Sequence, residues 1–240
     1  MIALPPRFAL ALAALAVALT GCSHSGSNGQ NPTPDGVLAV ERAIPPLENA
    51  RTAVGGVLDG LLSAAEAVDA RDEVGARGDR SGMRALVSAH PFSVAQLDAA
   101  AVAAPHGAQS YTEAVRVLTG AAATARLPGP QQAALTRVVG AVRAEAAADT
   151  ELARIASYFW PRYRRLANLQ AKWLERARGG WYRNTKESAD AYAVLTSQAR
   201  PPVQTARAQL EVAATARQRA TEAYAAAVTA FRQVPSTPTG

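Results

Sequence analysis

The sequence has little of the chemistry that metal sites and disulfides require. It contains one cysteine, Cys22, and three histidines, His24, His90 and His106. A single thiol excludes an intramolecular disulfide, and zinc sites take four ligands that are mostly Cys and His. No glutamate is followed three residues later by a histidine, so the Glu-x-x-His pair of di-iron bundles is missing. We therefore expect no bound metal and no cofactor, and we expect His90 and His106 to lie in solvated corners.

The motifs of common enzymes are missing as well. The chain has no Gly-x-Ser-x-Gly turn for a serine nucleophile, and neither Lys172 nor Lys186 follows a glycine-rich phosphate loop. Asp69, Asp72 and Glu73 lie in a glycine-containing stretch without calcium-loop spacing, which predicts a solvated loop over 69–82. We expect a protein that is not an enzyme, with an enzyme of unrecognised type kept as an alternative.

Bulky and β-branched residues are scarce, and alanine takes their place. Alanine accounts for 57 of the 240 residues, whereas there are only 3 Ile and 20 Val, and aromatic residues make up 5%. Alanine is the best helix former, and strands favour the β-branched and aromatic residues that are rare here. The composition therefore predicts an all-α protein, a helical bundle whose core depends on close helix approach.

The amino-terminal segment carries the most specific motif. Arg7 is followed by an uncharged apolar run of twelve residues, Phe8 to Leu19, which is too short to span a bilayer core that takes about 20 residues. The run ends in Leu19-Thr20-Gly21-Cys22, which resembles the lipobox of bacterial lipoproteins. The resemblance implies that 1–21 is a signal peptide, that Cys22 is lipidated with chains such as palmitate, and that the protein is anchored on the extracytoplasmic side of the cell membrane.

The rest of the chain predicts a tether followed by a helical domain. Residues 22–36 hold the lipidated Cys22 and a segment rich in Ser, Gly, Asn and Pro, which is typical of a flexible tether. Helical spacing of apolar residues over 37–234 predicts the folded domain, and 235–240 a disordered tail. Proline and glycine positions divide the amino-terminal half into shorter predicted helices at 37–44, 46–73, 82–90, 93–104 and 109–126.

The carboxy-terminal half predicts a long antiparallel helical hairpin over 130–233. Apolar residues recur at alternating steps of three and four, as in a coiled coil, through 130–178 and again through 184–233. Four charged residues, Glu145, Arg162, Arg176 and Arg217, occupy seam positions of these heptads. Pro161 predicts a kink in the first helix. A break near 149–151 is the alternative, which leaves open whether 130–178 is continuous.

One segment combines positive charge with aromatic residues. Residues 151–187 hold nine of the 25 basic residues against three acids, and seven of the thirteen aromatics. On a helix, Trp160 and Arg164 share an outer face beside Arg165. This placement predicts an interaction surface for anionic lipid, cell-wall polymer or an envelope protein. The alternative is that another helix covers Trp160, so that these aromatics are core residues.

These patterns favour a non-enzymatic helical scaffold or interaction protein of the cell envelope. A binding module that holds a lipid or other apolar ligand within the bundle is a second hypothesis. A cavity lined by Leu and aromatic side chains favours the binding module, and a solid interior with an exposed aromatic patch favours the scaffold. Nucleic acid is not an expected partner despite the net charge of +6, because the signal sequence directs the chain out of the cytoplasm.

Overall fold

All the regular secondary structure in the described part of the chain is α-helical. A computed structural model describes residues 35–127 and 129–234, and within these ranges there are six α-helices and no strands. The predicted all-α helical bundle is therefore confirmed, whereas the predicted signal peptide, Cys22 with most of the predicted tether, and the predicted tail lie outside the described residues. The helices are α1 (Asp35–Ala76), α2 (Arg80–Ala89), α3 (Val94–Thr124), α4 (Gly129–Arg178), α5 (Thr185–Thr196) and α6 (Arg200–Arg232).

Internal prolines do not end the helices, which corrects several predicted boundaries. α1 runs through Pro45 and Pro46, α3 runs through Pro105, and α4 is continuous through both 149–151 and Pro161. The predicted stops at Pro45 and Pro105 are therefore wrong. Proline removes one backbone hydrogen bond and weakens a helix, but tertiary contacts override this local cost in long helices that are buried along one side.

The carbonyl that Pro105 leaves without a helical donor has another partner. Pro105 has no N–H to offer the carbonyl of Ala101, four residues earlier. The Ser157 hydroxyl of α4 donates to that oxygen at 2.6 Å. The helix thus passes its proline without an unsatisfied buried carbonyl, since Ala101 is buried.

Two other predicted boundaries are also corrected. The solvated loop expected over 69–82 is helical to Ala76, and the chain turns at Gly78, whose φ of 68° is the left-handed conformation that favours glycine. The predicted helix 184–233 is two helices, because α5 ends at Thr196 and α6 begins at Arg200. Prolines 201 and 202 lie in the first turn of α6, where a missing N–H costs nothing.

The chain forms two compact units. Among the described residues, unit one contains 35–55, 106–150 except 128, and 215–234, and unit two contains 56–105 and 151–214. In unit one, Glu145 of α4 bonds to Thr221 of α6, and Asp149 bonds to Arg217. Rising numbers on α4 thus meet falling numbers on α6, which supports the antiparallel hairpin there; the hairpin over its full predicted length stays a prediction.

Each unit has its own core. In unit one, large side chains such as Leu47, Tyr111, Leu118 and Tyr224 are almost fully buried. In unit two, a cluster of aromatic and aliphatic residues lies where α1, α2, α4 and α5 meet: Val74, Met83, Trp173, Leu174, Ala177, Tyr182 and Tyr192. Close approach is visible at Gly75 of α1, where an added Cβ would collide with the Tyr192 ring.

Candidate binding cavity

Unit two contains a cavity of about 320 Å³ between α1, α4 and α6. This volume is at the lower end of the range for small-molecule sites. The apolar residues of its lining are Leu62, Leu210, Tyr163 and the alanines 65, 70 and 214. The charged residues of its lining are Glu66, Asp69, Glu73, Glu211 and Arg207. The cavity thus combines a small apolar surface with an unusual density of carboxylates.

One guanidinium lies among the carboxylates. Arg207 Nε is 2.9 Å from Glu211 Oε1 and 3.9 Å from Asp69 Oδ2, and its Nη1 is 3.7 Å from Glu73 Oε1. The hydrogen bond with Glu211 and the nearby Asp69 carboxylate raise the pKa of Arg207, so it stays charged. Four carboxylates against one cation leave the lining with a formal charge of −3 when all are ionised.

Asp69 is the carboxylate with the most perturbed protonation. Burial raises the pKa of Asp69 to about 6, against the opposing effects of the Arg207 charge and of a 3.4 Å hydrogen bond from the Tyr163 hydroxyl. Burial and the adjacent Asp69 carboxylate also raise the pKa of Tyr163, which therefore stays a neutral hydrogen-bond donor. The charge of the cavity consequently changes by one between about pH 5 and pH 7.

Helical spacing brings these side chains together. Glu66, Asp69 and Glu73 are three and four residues apart on α1, and Arg207 and Glu211 are four apart on α6, so each set shares one face. The prediction that Asp69 and Glu73 belong to a solvated loop is wrong, because α1 continues through them. The sequence does carry a signal for this helix, because the spacing of three and four residues continues past Leu62. The glycines in the same stretch favoured a loop.

Asp72 has a separate and fully structural environment. Its Oδ1 accepts a hydrogen bond of 2.8 Å from the Tyr192 hydroxyl, and its Oδ2 lies 2.9 Å from Arg200 Nε. The contact fixes the start of α6 to the middle of unit two. It does not contribute to the cavity lining.

The predicted interaction residues are placed differently from expectation. Trp160 is only 4% exposed, and its Nε1 donates at 2.7 Å to Asp98 Oδ1 of α3. The prediction that Trp160 faces outward is therefore wrong, and the alternative of a covering helix describes it. Arg164 is half exposed and pairs with the other oxygen of Asp98 at 3.0 Å. Arg165 is exposed and lies 3.4 Å from Gln198; a partner for these arginines stays a prediction.

Sequence reasoning missed a buried polar network in unit one. Arg51 binds both oxygens of Glu145 at 2.8 Å, and Glu145 also accepts from Tyr111 at 2.9 Å and Thr221 at 2.8 Å. Although burial opposes ionisation, these bonds lower the pKa of Glu145. The heptad position of Glu145 was the available signal, since a charge at a seam position needs a partner. All these groups bind one another, which makes the network structural.

The remaining candidate groups form no site. His90 caps the end of α2, and its carbonyl accepts from Arg71 at 2.7 Å, while His106 is exposed on α3. Among residues 35–127 and 129–234, no cluster of His, Cys, Asp and Glu has the arrangement of a metal site. None of the helices in these ranges has the length and apolar character needed to cross a membrane.

Comparison of the chain with known protein families, with curated proteins and with solved structures gives no match.

Proposed function

We propose that the protein is a lipid-anchored, extracytoplasmic interaction protein that acts by non-covalent binding, and that the unit two cavity is its ligand site. The cavity carries the binding part of the proposal. Its lining combines Leu62, Leu210 and Tyr163 with carboxylates that outnumber the one guanidinium. A small organic cation with an apolar portion complements both features, whereas a purely apolar ligand would strip water from the carboxylates without compensation.

The anchor is supported by the sequence. Leu19-Thr20-Gly21-Cys22 follows an apolar run of signal-peptide length. Each buried methylene contributes about 0.8 kcal/mol, and two chains give a stable anchor where one does not. We expect the natural protein to partition into the detergent phase and Cys22→Ala to lose both the lipid and the partitioning. A Cys22→Ala protein that stays membrane-bound without lipid contradicts the anchor.

The cavity is tested by calorimetric titration with two probes of opposite charge and similar chain length. Hexyltrimethylammonium carries a cation on an apolar chain, and hexanoate carries an anion on a similar chain. We expect saturable binding of the cation alone. Glu66→Gln combined with Glu73→Gln weakens it, because these exposed carboxylates supply charge without holding the fold.

The matched control removes the same charge elsewhere. Glu113→Gln with Glu151→Gln neutralises two exposed acids outside the cavity, and this variant keeps the affinity of the natural protein. Equal binding of both probes, or equal weakening by both double variants, contradicts a cationic ligand in the cavity.

A second candidate function is that of a non-enzymatic scaffold that docks on another envelope component. Exposed aromatic side chains favour it, since Tyr158 is 61% exposed and Trp181 is 69% exposed. If neither probe binds in the titrations, this candidate function is favoured over the first.

A further inference from the structure

We propose that the end of unit two around Trp181 is a docking surface for anionic lipid. This surface, the Trp181 tip, consists of residues 77–80 and 175–190. The two segments are in contact, because Arg80 Nη1 donates at 3.1 Å to the Tyr182 carbonyl. An added Cβ at Gly78 would also collide with the Thr185 carbonyl oxygen. The tip is therefore a single surface built from two loops and the helix ends beside them.

The backbone presents Trp181 to solvent. α4 ends in a turn in which the Trp181 N–H donates to the Arg176 carbonyl at 3.2 Å and the Gly180 N–H donates to the Ala177 carbonyl at 3.4 Å. This is the Schellman arrangement, and it requires the left-handed φ of 73° that Gly180 adopts. The following residue, Tyr182, is buried against Trp173 at 6.2 Å between ring centroids. The loop is thus held by Tyr182 while Trp181 projects outward.

Trp181 differs from the other two tryptophans of the chain. Trp160 and Trp173 are 4% and 0% exposed, and the indole nitrogen of each donates to a protein oxygen. Trp181 is 69% exposed, with the Arg176 guanidinium 5.9 Å from its ring. An indole with an apolar body and a polar edge suits the boundary between water and lipid, where tryptophan is enriched.

The charge around Trp181 complements an anionic surface. The tip holds six basic residues and four acidic ones. Three of the four acids are engaged within the tip itself. Asp79 caps α2, Glu187 accepts from the Arg183 N–H, and Asp190 pairs with Lys186. Arg176, Arg178 and Arg183 are exposed beside Trp181, which places cations around an apolar side chain as lipid headgroups require.

Lipid fits this surface better than a protein partner for a physical reason. A projecting indole with the Arg176 guanidinium beside it offers an apolar contact and a flexible charge, and a mobile headgroup layer adapts to both. The choice of a membrane rests on the proposed anchor at Cys22, which keeps the domain at a bilayer and raises the effective concentration of lipid at the tip. The basic–aromatic segment of the sequence thus points to Trp181 in place of Trp160.

The test uses the full lipidated chain in vesicles that contain brominated lipid, which quenches tryptophan fluorescence on contact. The vesicles are phosphatidylcholine alone or phosphatidylcholine with phosphatidylglycerol. We expect quenching in the anionic vesicles at low salt, little quenching in the neutral ones, and recovery at high salt as charges are screened. Trp181→Ser abolishes the quenching, because the other two tryptophans are buried.

Two matched charge variants locate the surface. Arg178→Gln with Arg183→Gln lowers the docking equilibrium about thirtyfold, since each cation near an anionic surface contributes about fivefold. Arg164→Gln with Arg165→Gln removes the same charge from the surface first indicated by the sequence, and it leaves the quenching unchanged. Equal quenching in both kinds of vesicle, no quenching in either, or loss of quenching only in the Arg164 and Arg165 variant overturns the proposal.

Failure of the anchor gives a different result. Without lipidation the chain does not float with neutral vesicles at all. Flotation with the anionic vesicles that disappears in Trp181→Ser then supports the tip on its own, and an absence of such flotation overturns it.

Discussion

The Ser157 hydroxyl of α4 satisfies the Ala101 carbonyl that Pro105 leaves without a donor in α3, with 2.6 Å between the two oxygens. Removing this hydroxyl leaves a buried acceptor unpaired, at a cost of about 1–3 kcal/mol. We expect Ser157→Ala to lower the free energy of unfolding by that amount in urea denaturation. A double-mutant cycle with Pro105→Ala identifies the cause, because the alanine introduced there supplies an N–H to the same carbonyl. The loss on removing Ser157 should be smaller in that background, and an equal loss contradicts the compensation.

The buried ion pair of unit one gives the largest expected stability effect. Glu145→Gln keeps the size of the side chain but leaves Arg51 as a buried cation without its anion, which costs about 3–5 kcal/mol. We expect a correspondingly lower midpoint in chemical denaturation. Glu151→Gln is the matched control on the same helix, since its pair with Arg154 is solvent-exposed, and such pairs contribute about 0–1 kcal/mol. Similar losses in the two variants would contradict a buried network.

Trp160 and Trp181 should respond oppositely to truncation. Trp160→Ala removes a buried ring and the partner of Asp98, and the loss of a core tryptophan costs about 3–5 kcal/mol. Trp181→Ala removes an exposed ring and should change stability by less than about 0.5 kcal/mol. Thermal or chemical denaturation of the two variants measures both. A Trp160→Ala protein as stable as the natural one would contradict the burial of Trp160 and support its outward placement.

Asp69 should make stability fall as pH rises through the acidic range. Its pKa is about 6 in the folded protein and 3.8 in the unfolded chain. Between these pH values Asp69 binds more protons in the folded state than in the unfolded chain. Its contribution to the free energy of unfolding is therefore lost as pH increases from about 4 to about 6. At 1.36 kcal/mol per pH unit the effect is at most about 3 kcal/mol.

Asp69→Asn should abolish this decline and stabilise the protein above about pH 6. Denaturation midpoints measured across that window test it, and Glu66→Gln serves as the control because it leaves the Asp69 carboxyl in place. An unchanged pH profile in Asp69→Asn contradicts a buried, readily protonated carboxyl. Cation binding in the cavity should strengthen between about pH 5 and pH 7, as Asp69 ionises in the folded protein.

The spacing of apolar residues predicted the helices well, whereas the positions of proline and glycine predicted the helix ends poorly. The heptads of 130–178 correspond to one continuous helix, α4. Pro45 and Pro105 were expected to end helices because local rules count only the lost backbone bond. The compensating contact at Ala101 comes from Ser157, 56 residues away, and no local pattern predicts such a partner.

The candidate site shows the same division between local and tertiary information. Helical spacing was sufficient to put Glu66, Asp69 and Glu73 on one face, but the glycines after Glu73 favoured a loop. Which tryptophan of the basic–aromatic segment is exposed depends on whether another helix covers it. α3 covers Trp160 through Asp98, 62 residues away, and no local pattern predicts that contact. The turn at Gly180, which leaves Trp181 uncovered, is local.

The Glu145 network fixes the axial register of the helices in unit one. Small side chains, Ala and Val, predominate among the buried apolar residues of this unit, and one turn of sliding, about 5.4 Å, would bury a similar apolar area between such surfaces. Arg51, Tyr111, Glu145 and Thr221 come from α1, α3, α4 and α6 respectively. Displacement of any one helix by a turn would separate its polar side chain from the other three. A charge or a hydroxyl would then lie unpaired among apolar side chains. A chain with few bulky side chains to interlock thus obtains a single alignment from one polar layer.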